Sequence, residues 1–226
     1  MTAPAQGNGA VTDELPFRIA VLTLAILIKL VRWPSRRRVG WRASWPGMRR
    51  NPLDTAILFG MAIAWGVALV TYVFFPATVS PAALGLPAWL RWLGVGIAVV
   101  GLAMIGWADR ALGGNLSVTL RIRDGHTLVT TGPYRRARHP IYTGGLLYAA
   151  AHPLIAANGF VGACFLAPYV LLLLTRIPKE ERMMLEAFGD EYRRYMQRTG
   201  RLLPKMTHHG GTEDTEPRGA TTDEHR

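Results

Sequence analysis

The sequence predicts an all-α, multi-pass membrane protein with about five transmembrane helices, a C-terminal helical hairpin and an amphipathic cytosolic helix. Three observations carry that prediction. Half of the 226 residues are hydrophobic and only 18% are charged, below the roughly 25% of soluble domains. The apolar residues gather into runs of 17 or more without an acid or base, as bilayer-crossing helices require. The basic residues fall in bursts between those runs. Disorder is excluded by the hydrophobicity, and a disulfide scaffold by Cys164 being the single cysteine.

The first apolar segment, residues 15–33, contains Arg18 and Lys29, whose stems can snorkel. It is read as a spanning helix, with an interfacial placement as the alternative. No small-residue cleavage site follows, so it does not read as a signal peptide. Residues 55–75 are 21 positions without a formal charge; at about 1.5 Å per residue they cover the roughly 30 Å hydrocarbon core. Residues 92–108 add 17 more, with Arg91 at the edge where it can snorkel. The 36 residues 140–175 carry no Asp, Glu, Lys or Arg, and one helix of about 54 Å is too long for one crossing. Asn158-Gly159 is a turn signal, which predicts a tight hairpin of two spans, 141–157 and 160–177. Pro153 and Pro168 kink its arms, and His152, before the first proline, is read as structural.

Beyond the hairpin, Met184, Leu185, Phe188, Tyr192, Tyr195 and Met196 recur at helical spacing. Glu180, Glu181, Glu186, Asp190, Arg193 and Arg194 fill the other positions, so residues 179–197 read as an amphipathic helix along the membrane interface. Residues 206–226 lack an apolar pattern and are expected to be disordered. The chain thus divides into a tail (1–14), three spans (15–108), a loop–hairpin–helix region (109–205) and a second tail (206–226).

The net charge of +11 first points to nucleic acid or an anionic surface. Its distribution decides for the membrane. The loop between spans one and two carries seven arginines and no acid before Asp54, the next loop none, the third loop six, and the hairpin tip none. That alternation is the positive-inside pattern. It predicts a cytosolic first loop, third loop and C-terminus, an N-terminus outside if the first helix spans, and no nucleic-acid partner.

The longest polar connection, residues 109–142, is where chemistry is expected, since long loops in compact proteins are usually functional or disordered and this one carries turn signals at Gly125 and Gly132-Pro133. The bland alternative is a basic loop that only sets topology. Arg176 and Glu180 lie four residues apart and share a helix face where the last span reaches the cytosol; as a bare pair they also suit an anchoring salt bridge. The six histidines make no metal-ligand spacing with cysteine or acid, so no metal is expected. No Gly-x-Gly-x-x-Gly follows a strand, and Ser117 and Cys164 lack a nucleophile's context.

Residues 125–144, GHTLVTTGPYRRARHPIYTG, closely resemble the cofactor-binding stretch of the isoprenylcysteine carboxyl methyltransferase family. Arg176, Glu180-Glu181 and FGDEYRRY at 188–195 add a second match in the same order, so the resemblance covers about residues 110–205. It implies a membrane methyltransferase using S-adenosyl-L-methionine. It further implies that His126, Thr127, Leu128, Val129, Tyr134, His139, Pro140, Ile141, Tyr142 and Glu180 bind the cofactor and that Arg176 binds substrate, making Arg176 and Glu180 the catalytic pair. Thr119 departs from a glutamine contact in eukaryotic members, and Gly200 from a frequent proline.

The residues agree with those roles on chemical grounds. An acid at the membrane edge pairs with a ligand ammonium, and aromatic faces such as Tyr134 or Tyr142 stabilise a sulfonium. A guanidinium matches the two oxygens of an acceptor carboxylate. A carboxylate needs no base, whereas an amine acceptor would call on Glu180, Glu181 or a histidine. The expected partners are a lipophilic small-molecule or lipidated acceptor and membrane lipids. Three alternatives stay open at this point: a lipid N-methyltransferase, an NADPH-dependent membrane reductase of the sterol-reductase type, and a non-enzymatic scaffold or transport component.

Overall fold

The computed structural model describes residues 9–39, 52–113 and 127–205. Within them the chain is helical: α1 (Gly9–Val39), α2 (Pro52–Phe74), α3 (Pro76–Val79), α4 (Ala88–Leu112), α5 (Pro140–Ala156) and α6 (Gly159–Arg198), with single 3-10 turns at Ser80–Ala82 and Gly132–Arg135. Helices are the form in which an apolar segment satisfies its own backbone in lipid. Three of them, α2, α4 and α6, are long and apolar enough to cross a membrane. Large apolar side chains such as Phe59, Ile63, Val99, Val100 and Leu174 project outward from these helices.

α4 packs against α5 and α1, while α6 packs against α5 and α2. The α4–α5 seam is close because two glycines oppose each other. A Cβ on Gly101 would lie 2.6 Å from Gly144 O, and one on Gly144 would lie 2.7 Å from Gly101 O, so small residues here let two backbones approach. At the far end of α5, Ala157 adopts a left-handed conformation (φ 46) and Asn158 turns the chain. Asn158 Oδ1 caps α6 by accepting from Val161 N at 3.1 Å, and Nδ2 donates to Val79 O at 2.7 Å. The expected turn is therefore at Asn158, and it also anchors the connection between α2 and α4.

His152 is fully buried among α5 and α6 side chains. Its Nδ1 lies 2.7 Å from Tyr148 O and its ring stacks on Phe165 at 3.7 Å. Both contacts are internal to the helix packing, in keeping with a structural histidine.

Three expectations require correction. Arg91 does not snorkel. It is buried, and its guanidinium bonds both oxygens of Glu14 at 2.6 and 2.8 Å, Ile155 O at 3.0 Å and the Tyr72 hydroxyl at 3.1 Å, over the Phe17 ring. A carboxylate on α1 makes burial cheaper than reaching for water. The last span and the amphipathic helix are not separate: α6 runs from Gly159 to Arg198, continues through Pro178, and breaks only at Gly189 (φ 49), a conformation glycine adopts readily. Finally, α1 extends past Pro34 to Val39 rather than ending near residue 33. The expected disordered tail at 206–226 lies outside the described residues.

Candidate active site

Four side chains converge where α5 begins and α6 passes beside it. Glu180 is the centre. Its Oε1 accepts from the Tyr142 hydroxyl at 2.5 Å and from Arg176 Nε at 2.9 Å, and its Oε2 lies 3.6 Å from His139 Nδ1. Local sequence produces this arrangement. Arg176 and Glu180 are one helical turn apart, and Pro140 suits the first turn of α5 because it has no N–H to leave unpaired. His139 immediately precedes that turn and Tyr142 lies inside it, so both meet α6 at one level.

The His139 ring sits between two consecutive carboxylates, with Nε2 3.5 Å from Glu181 Oε1. Glu181 is itself buried, at 5% exposure, against the expectation that it lies on a polar helix face. It accepts from Arg138 Nε at 3.0 Å and Arg201 Nη2 at 2.5 Å. Burial alone would raise the Glu181 carboxyl, but His139, Arg201 and Arg138 outweigh it and hold the pKa down at about 2. A folded value below the ordinary 4.5 means that the stabilisation is complete above that pH and is lost as pH falls toward 2. The melting-temperature gap between wild type and Glu181→Gln should therefore shrink between about pH 6 and about pH 3. A gap that stays constant would contradict this electrostatic origin.

Tyr134 occupies the Gly132–Arg135 turn and is buried. Burial, and then the charge of Asp109, push its hydroxyl well above the ordinary 10.0, so it stays a neutral aromatic. Thr127 is exposed and Leu128 and Val129 half-buried in the irregular chain leading to this turn; Pro140 is buried and Ile141 half-buried. His126 and Thr119 lie outside the described residues. The structure thus joins His139, Tyr142, Arg176 and Glu180 directly, while Thr127, Leu128 and Val129 lie in the chain that precedes the Tyr134 turn.

Several charged residues around the site have no marker in local sequence. Asp109 is buried beneath Arg32, 3.6 Å away, and Lys179 reaches Asp54 at 2.5 Å. Arg138 also donates to Met196 O and Thr199 O. These pairs span different helices, so no spacing rule finds them. Among the described residues no group of three or more His, Cys, Asp or Glu is placed to hold a metal.

Residues 93–186 match the model of the isoprenylcysteine carboxyl methyltransferase (ICMT) family. Over that segment the chain is similar to ICMT-family sequences. The match starts inside α4, earlier than the motifs alone indicate, and ends before FGDEYRRY. A probable protein-S-isoprenylcysteine O-methyltransferase of Oryza sativa subsp. indica is 30% identical over 117 residues, 51% of this chain and 61% of that protein. Methanethiol S-methyltransferase 1 of Bradyrhizobium diazoefficiens is 38% identical over 71 residues, 31% of this chain and 24% of that protein. A solved structure of the eukaryotic intramembrane Ras methyltransferase ICMT aligns with TM-score 0.50 and 26% identity, covering 70% of this chain and 54% of that one. The chain therefore spans less than two thirds of the length of these relatives. His139, Tyr142, Arg176 and Glu180 all lie within the segment that matches the family model.

Proposed function

We propose that the chain is an S-adenosylmethionine-dependent membrane methyltransferase that O-methylates a carboxylate on a lipophilic, isoprenylcysteine-like acceptor. The observation that carries this reading is the Tyr142–Glu180–Arg176 constellation inside the segment that matches the ICMT-family model. The residues fit the donor. Glu180 keeps 21% of its side-chain surface exposed and offers a carboxylate to a primary ammonium. Tyr142 and Tyr134 offer aromatic faces to a cation. S-adenosylmethionine would supply a sulfonium methyl for displacement by a nucleophile, leaving a neutral thioether.

The protein's task in such a reaction is placement and exclusion of water. Arg176 orients an acceptor carboxylate by a two-oxygen fork, and the Tyr142 hydroxyl holds Glu180 in place. A carboxylate acceptor arrives already nucleophilic, so neither His139 nor Glu181 has a proton to remove. We place this site at the cytosolic ends of five spans, with α1 and α5 completing the set of α2, α4 and α6. The positive-inside pattern supports that orientation. An apolar acceptor then enters sideways from the bilayer and the soluble donor from the cytosol.

Transfer of labelled methyl from S-adenosylmethionine to a membrane lipid extract tests the proposal. The expected product releases its label in mild base, as a methyl ester does. A base-stable label would move the acceptor to nitrogen or to sulfur, as in the methanethiol relative. Turnover of a short water-soluble carboxylate as fast as a lipid-linked one would refute entry through the bilayer.

A further inference from the structure

Residues 127–139, which lead into the site, have no ladder of their own beyond the Gly132–Arg135 turn. What fixes them comes from the end of the described chain. Residues 199–202 run beside residues 136–139 as a short strap. Gly200 N donates to Arg136 O at 3.2 Å, Arg138 N to Gly200 O at 2.9 Å and His139 N to Arg201 O at 3.0 Å. Thr143 Oγ1 donates to Leu202 O at 2.6 Å, and the Tyr195 hydroxyl to Tyr134 O at 2.6 Å. Buried Glu181 joins the layers, since Arg138 approaches it from the site segment and Arg201 from the strap.

These bonds converge on residues 134–143, the stretch that carries Tyr134, His139 and Tyr142. Residues 195–202 lie beyond the segment matched by the family model, so this support is a feature of the chain outside that segment. A site on irregular backbone keeps its geometry only if surrounding hydrogen bonds hold it. Displacements of about 1 Å are enough to cost binding and rate. Glu181 is already saturated by two arginines and faces His139, so it is not a spare ligand for a cationic donor. Its position suits it to fix the residues that are.

We propose that the 199–202 strap, locked through Glu181, is a positioning element of the donor site, with Glu181 and Arg201 as its positioning residues. The inference rests on the reading that residues 134–142 and Glu180 bind S-adenosylmethionine. Loss of the lock would let the His139–Pro140 corner shift relative to Glu180. Donor affinity would then fall although no donor contact had been removed.

The test is equilibrium binding of labelled S-adenosylhomocysteine to the purified full chain in lipid nanodiscs, with melting temperature recorded on the same samples. Arg201 is 55% exposed at its side chain, so Arg201→Ala carries little folding risk. It should weaken binding about tenfold, and Glu181→Gln about tenfold or more. Arg201→Lys, which preserves the charge, should recover most of the affinity. Tyr72→Phe, at the opposite end of the bundle, should lower the melting temperature and leave affinity unchanged. If Arg201→Ala and Glu181→Gln bind as wild type does and only melt earlier, the strap is structural and the inference is overturned. If wild type itself does not bind, the donor-site reading fails and the inference falls with it.

Discussion

Glu180→Gln is expected to lower methyl transfer to a lipid acceptor by about a hundredfold in kcat/KM, equivalent to about 2.7 kcal/mol of lost transition-state stabilisation. Glutamine keeps the size and an acceptor oxygen for Tyr142, so the fold should survive. It removes the charge that pairs with Arg176 and that we assign to the donor ammonium, and hydrogen bonds to charged groups are about twice as strong as neutral ones. Arg176→Ala should cause a comparable loss, expressed in the acceptor rather than the donor. Arg176→Lys should recover only part of it, because an ammonium cannot make the two-oxygen fork. Steady-state kinetics with donor and acceptor varied separately checks both. Full transfer by either Glu180→Gln or Arg176→Ala would remove that residue from the site.

The largest effect on stability is expected at the other end of the bundle. Arg91→Ala removes at once the partner of Glu14, a bond to Ile155 O and the cation over Phe17. Breaking one side of a buried pair typically costs about 3–5 kcal/mol, because the remaining charge is left uncompensated. Glu14 keeps 32% of its side-chain surface exposed, which puts the expected loss near the lower bound of that range. The double variant Arg91→Met with Glu14→Gln should recover a large share by leaving no buried charge unpaired. Thermal unfolding in one detergent, compared across the single and double variants, measures the coupling. A single variant that melts with the wild type would show that this cluster does not hold α1 against α4.

How much of this was legible in the sequence depends on the range of the interaction. The apolar helices follow from uncharged runs, and the turn at Asn158 from a residue type that both bends the chain and caps the next helix. The Arg176–Glu180 contact follows from one-turn spacing. Arg91 and Glu181 were misread for one reason: their partners lie far away in sequence. Arg91 meets Glu14 across 77 residues, and Glu181 meets Arg138 across 43. Periodicity sorts residues by face and so assigns a charge to the solvated side; only tertiary pairing can reverse that. Pro178 lacks the N–H for one intrahelical bond, yet α6 passes through it and breaks at Gly189 instead. The tyrosine and histidine of the site were found from the motif, while Glu181 and the strap behind them carry no motif of their own.

Retention of labelled S-adenosylmethionine by the purified protein, with unlabelled S-adenosylhomocysteine or NADPH as competitor, tests the central claim most directly. The expected result is saturable retention that S-adenosylhomocysteine displaces, that NADPH leaves intact, and that Glu180→Gln largely abolishes. Displacement by NADPH alone, no retention at all, or retention undiminished in Glu180→Gln would contradict a methyl-donor site built around Glu180.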